Sequence, residues 1–479
     1  MANLNALLKD TAIYGLSSII GRFLNYLLVP LYTYCMPKET GDYGVSVNMY
    51  AYTALVLVFL TFGMETTMFR FANKEGEKPD TVFSTSFGVV SVLSVAFLAL
   101  IFGFINPISS SLGYQTHPEY IEIMAVTIVL DSIRAIPFSY LRFKRRPIKF
   151  ATLQLLNIAI SILLNIIFFL ILGKTTVIYV FAINLACSAI ITLMFVPDLL
   201  KIQWSWDMGL LKRMLKYTWP LVILGIAGIL NQTADKIIYP LVCPDKMAEL
   251  GVYGACVKIA MIMAMITQAF RYAYEPIVFA KAKDKDSKEY YAVAMKFFLI
   301  FTLLAFLCVM GYMDILQLII GSEYREGLRV VPIVMAAEIM MGVYFNLSFW
   351  YKLIDKTIWG AWFSIAGCAV LVAVNIIFIP QYGYMACAWG GVAGYGTAMI
   401  LSYIVGQIKN PISYPMMSIM VYVLMTAFFF AIMTFIPDSW PVVLRLGINT
   451  LLIIAFIGHV VYHDMPLKNL PFIGRFFRK

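Results

Sequence analysis

Residues 142–172 read RFKRRPIKFATLQLLNIAISILLNIIFFLIL, with five Lys or Arg in the first eight positions and no charged residue in the next 23. At a rise of about 1.5 Å per residue, an uncharged run of that length crosses the roughly 30 Å hydrocarbon core of a bilayer as one helix. Five cations at its entrance mark a loop that stays on the cytoplasmic side.

The same alternation of apolar run and short polar connection continues along all 479 residues, of which 61% are hydrophobic and 13% charged. That is about half the charge of a soluble domain, and no connection is long enough for one. The chain therefore reads as an all-α polytopic membrane protein of about fourteen transmembrane helices. The expected spans are 11–35, 44–71, 81–105, 119–142, 150–172, 175–199, 213–240, 247–280, 289–313, 325–351, 358–380, 382–409, 413–436 and 441–462. The start, MANLNALLKDTAIYG, lacks a basic segment, short apolar core and cleavage site, so the first helix is expected to remain.

With a cytoplasmic N-terminus, two thirds of the 36 Lys and Arg fall in loops on that side. The opposite loops hold only Lys38, Lys174, Lys246, Arg325, Arg329 and Arg445. The bias places both termini in the cytoplasm and accounts for the net charge of +10 without a nucleic-acid partner. Seven scattered Cys and three His, His117, His459 and His463, suggest neither a disulfide framework nor a metal site.

A weak internal repeat accompanies this pattern. Setting residue 7 on residue 214 lays Leu7-Leu8-Lys9 on Met214-Leu215-Lys216 and Gly44-Val45 on Gly251-Val252. The expected organisation is two pseudo-symmetric six-helix lobes, 1–200 and 201–410, followed by two additional helices and a basic tail in 411–479. Parallel repeats of this kind place a substrate between halves near the membrane midplane.

Charges inside the spans point to function, because each costs about 2.5 to 3.5 kcal/mol at the centre of an isolated helix. Arg22, Arg134, Lys258, Arg271 and Lys296 are candidates for binding an anionic headgroup, with guanidinium suited to bidentate contact with phosphate. Asp131, Glu338, Glu65 and Glu275 are candidates for carrying a coupling proton or sodium ion. Asp131 and Arg134 lie three apart and Arg271 and Glu275 four apart, so structural ion pairs compete with these roles. Lys236 follows Asp235 near the outer end of its span and is expected to snorkel to the interface, which sets both aside as site residues. No phosphate-binding loop or sizeable extramembrane loop appears, and no cofactor is expected.

The stretch LLKDTAIYGLSSIIGRFLNYLLVPLYT at 7–33, GDYGV at 41–45, FGMETTMFRF at 62–71 and YLRFKRRP at 140–147 resemble bacterial polysaccharide biosynthesis flippases of the Wzx type. Those flippases belong to the multidrug/oligosaccharidyl-lipid/polysaccharide exporter superfamily. The resemblance implies two lobes with alternating access, flipping an undecaprenyl-diphosphate-linked oligosaccharide across the bacterial inner membrane. It implies that Arg22 and Arg271 meet the diphosphate and that the last two helices hold the lipid tail. Implied partners are the lipid-linked oligosaccharide, membrane lipids, and the polysaccharide polymerase and chain-length machinery. A lipid II flippase and a cation-coupled multidrug antiporter are rival readings within the superfamily. A membrane acyl- or glycosyltransferase is the rival of another class, with His117 as its sole catalytic candidate.

Overall fold

In the computed structural model, the described residues are 24, 26, 28–281, 287–354, 356–437 and 439–464, with backbone alone for 224, 272, 273, 275–281 and 353. Their principal helices are α1 Leu28–Cys35, α2 Asp42–Thr61, α3 Met64–Ala72, α4 Pro79–Gly103, α5 Pro118–Phe143, α6 Pro147–Asn165, α7 Val177–Met194 and α8 Met208–Val242. They continue with α9 Met247–Lys281, α10 Ser287–Gly311, α11 Val331–Leu347, α12 Ile358–Tyr382, α13 Tyr384–Lys409, α14 Met416–Phe435 and α15 Val442–His463.

Starts and breaks follow local chemistry. Pro79, Pro118 and Pro147 stand in the first turns of α4, α5 and α6, where a missing N–H costs nothing. Asp207 caps α8, its carboxylate accepting from the amides of Gly209 at 2.7 Å and Leu210 at 3.2 Å. The run from Asp42 to Ala72 breaks into α2 and α3 because Phe62 and Gly63 both adopt left-handed conformations.

Among the described residues, twelve helical stretches are long and apolar enough to cross a membrane, as in a multi-pass membrane protein. Helix α5 has comparable length at 26 residues but carries Glu119, Glu122, Asp131, Arg134 and Arg142. It packs against α2, α4 and α7, and Ser188 of α7 meets its Asp131. The expected first span lies outside the described residues up to residue 23.

The chain divides into two compact units. One comprises residues 1–255 with 371–387, and the other 256–370 with 388–479. In the first, α2 runs along α8 and meets the start of α9. A Cβ on Gly44 would stand 1.9 Å from the Met247 carbonyl oxygen and 3.0 Å from the Gly251 nitrogen. One on Gly254 would stand 2.4 Å from Val47 Cγ2. The pairs Gly44/Gly251 and Val47/Gly254 share the repeat offset read from the sequence, so residues equivalent in the repeat touch here.

In the second unit, α14 and α15 pack against α10. Only 11% and 17% of their apolar windows are buried, leaving most of their surface suited to lipid. Asn449 donates to the Gly311 carbonyl at 2.8 Å, and Arg445 pairs with Asp314 at 3.0 Å.

Candidate functional site

A cavity of about 100 Å³ lies inside the first unit, lined from four helices. Helix α5 supplies Thr127, Asp131 and Arg134, spaced four and three apart and so on one face. Asn157 and Ser161 of α6, and Asn184 and Ser188 of α7, lie four apart and line it too, with Tyr50 and Thr53 of α2. The sequence thus turns a polar stripe of each apolar helix to one point.

Arg134 Nη2 lies 2.8 Å from Asp131 Oδ1, with side chains 16% and 22% exposed. Ser188 donates to the same oxygen at 2.6 Å. Asn184 donates to the Val180 carbonyl at 2.9 Å and to the Tyr50 hydroxyl. Two buried polar atoms of the pocket have no partner in the structure: Arg134 Nη1, a donor, and Asn157 Oδ1, an acceptor. The ion pair satisfies the i,i+3 spacing and partly offsets the cost of a charge at this depth.

A second ionic group in this unit is formed by Asp235 and Lys236. Asp235 is 8% exposed, accepting from Lys236 at 2.9 Å and from the Tyr253 hydroxyl at 2.7 Å. Helix α8 carries it inward because Asn48 of α2 donates to the Lys236 carbonyl at 2.8 Å, drawing that turn against α2.

The other sequence candidates are dispersed. In the second unit, Lys296 of α10 donates to Asp464, just beyond α15, and Tyr422 of α14 donates to the other Asp464 oxygen at 2.5 Å. Arg271 of α9 lies with its guanidinium carbon 4.3 Å from the ring centroid of Phe345 on α11, a cation–π contact. Phe270 and Tyr274, their ring centroids 5.1 Å apart, flank it in sequence and continue the aromatic wall. Lys258 of α9 and Glu338 of α11 are partly buried and engage neighbouring groups. Glu65 of α3 stands 3.5 Å from Arg142 of α5, both about 40% exposed. Arg22 and the Glu275 side chain lie outside the described residues.

Sequence reasoning missed Tyr50, Asn157, Asn184 and Ser188, which complete the pocket. Their signal is present as polar residues recurring every four positions: Asn157, Ser161 and Asn165, then Asn184, Ser188 and Thr192. Charge alone does not reveal it, since none of these is ionised.

A family model described as "Polysaccharide biosynthesis protein" matches residues 39–329, more than half of the chain. No curated protein sequence matches. Among solved structures, the inward closed lipid II flippase MurJ aligns with a TM-score of 0.76 at 14% identity, covering 94% of this chain and 98% of that one. An inward-facing multidrug resistance MATE family transporter of the MOP superfamily aligns at 0.65 and 14% identity, covering 84% and 96%. The MATE multidrug transporter DinF-BH aligns at 0.61 and 18%, also covering 84% and 96%. At such identities the likeness establishes the fold.

Proposed function

Because the chain belongs to the polysaccharide biosynthesis protein family, we propose that it is a flippase that carries an undecaprenyl-diphosphate-linked oligosaccharide from the cytoplasmic to the periplasmic leaflet. The protein moves its cargo by alternating access and performs no covalent chemistry on it. Its lobes are residues 1–200 and 201–410, with both termini cytoplasmic in the inner membrane, and α14 and α15 accompany the lipid tail.

The observation that carries the anionic-cargo reading is Arg271 resting on Phe345. A guanidinium set on an aromatic face presents its N–H donors at its edge, where phosphate oxygens can approach in the plane. Arg134 and Lys296, by contrast, are bound to Asp131 and Asp464. Arg271 is assigned to the diphosphate on this contact and Arg22 on the resemblance alone, with Lys258 adding positive charge.

Deleting the gene should remove the surface glycan and accumulate its lipid-linked precursor in the inner leaflet. A normal surface glycan in the deletion strain would overturn the assignment.

A further inference from the structure

We propose that Arg134 is the built-in counterion of Asp131 and holds the place that an exchangeable sodium ion would need, so that this pocket works without a bound metal cation. The sequence puts Asp131 among the residues able to carry a coupling ion, and the geometry tests whether the pocket fits one.

Sodium binds to lone pairs of oxygen. In this pocket the lone pairs of Asp131 Oδ1 already receive the Arg134 guanidinium at 2.8 Å and the Ser188 hydroxyl at 2.6 Å. Asn184 turns its N–H donors, not its carbonyl, toward Tyr50 and Val180. The groups at Asp131 Oδ1 thus present protons where a metal requires lone pairs, and a fixed positive charge already neutralises the carboxylate, while the pocket's other oxygens, Asn157 Oδ1 among them, are uncharged. The donor set does not fit sodium.

It does fit water. Arg134 Nη1 and Asn157 Oδ1 are a buried donor and acceptor without partners, on two residues that line a cavity of about 100 Å³. A cavity of that size has room for water beside these side chains. Asp235 repeats the rule, since Lys236 and the Tyr253 hydroxyl both donate into its carboxylate. In this unit Asp131 and Asp235 are each matched with a tethered cation from the same helix.

The test is thermal unfolding of the purified full chain in detergent, in sodium chloride and in choline chloride of equal strength, a readout independent of transport. The wild type should melt identically in both salts, and Arg134→Lys should do the same because the fixed charge remains. Arg134→Gln should acquire a sodium-specific rise of several degrees that Arg134→Gln/Asp131→Asn loses. A sodium-specific rise in the wild type that Asp131→Asn abolishes would overturn the proposal, as would a soluble Arg134→Gln indifferent to sodium. Should Arg134→Gln fail to fold, wild type and Asp131→Asn decide the matter, because equal indifference in both supports the built-in counterion.

Discussion

Gly44 lies against the main-chain carbonyl of Met247 with no room for a side chain, since a Cβ would stand 1.9 Å from the oxygen. The obstacle is backbone on both sides, and neither helix can yield without moving as a whole. Gly44→Ala should therefore destabilise the protein by about 1–3 kcal/mol, the usual range for overpacking. Gly254→Ala meets the Val47 side chain instead and should cost less. Thermal unfolding in detergent checks both, and Val47→Ala should rescue Gly254→Ala while leaving Gly44→Ala unimproved.

Removing one partner of a buried ion pair strands the other. Arg134→Ala should lower stability by about 3–5 kcal/mol, since Asp131 keeps only Ser188. The double variant Arg134→Ala/Asp131→Asn should lose less than the sum of the single changes. Strict additivity in denaturant unfolding would mean the two residues do not depend on each other.

Asp464 titrates in a way that should be visible as pH dependence. Burial pushes its carboxyl up, but hydrogen bonds from Lys296 and Tyr422 outweigh that and hold it below the usual range. A carboxyl lowered in the folded state contributes stability that is present above its unfolded pKa, about 3.9, and is lost as pH falls through the folded value. The wild type should lose melting temperature on acidification below about pH 4, and Asp464→Asn should melt lower at neutral pH with a flatter acid limb.

Arg271 should be sensitive to shape as well as charge. Arg271→Ala should reduce glycan export by about ten- to a hundredfold, the scale of one charge-assisted hydrogen bond of roughly 1.5–3 kcal/mol. Arg271→Lys should fall between, because an ammonium contacts phosphate as a point charge. Membrane abundance measured alongside export separates a lost contact from a lost protein.

The helical, multi-pass architecture was legible because apolar runs bounded by charge have one structural solution in a bilayer. Even α5, the most polar of the long helices, announced itself by length, and its Asp131–Arg134 pair by spacing. The contact of Gly44 with Met247 was hinted at only by the repeat, since a glycine in an apolar helix does not say which backbone approaches it. The ionic partner of Lys296 was illegible, because Asp464 lies 168 positions away at the end of another helix. The Tyr253 hydroxyl on Asp235 was equally illegible, because it comes from the next helix, 18 positions on. The pocket's neutral members escaped for a related reason: Asn157 and Asn184 acquire meaning only when α6 and α7 turn toward Asp131.

The central claim is that the protein flips a phosphate-bearing lipid-linked glycan. Its most direct measurement is transfer between leaflets in proteoliposomes containing the purified protein and a fluorescent undecaprenyl-diphosphate oligosaccharide, read by accessibility to an added glycan-binding protein. Wild type should transfer the diphosphate-linked glycan, fail to transfer a neutral lipid glycoside of equal size, and lose activity as Arg271→Ala. Transfer of the neutral glycoside at the same rate, or no transfer of the diphosphate-linked one, would contradict the account.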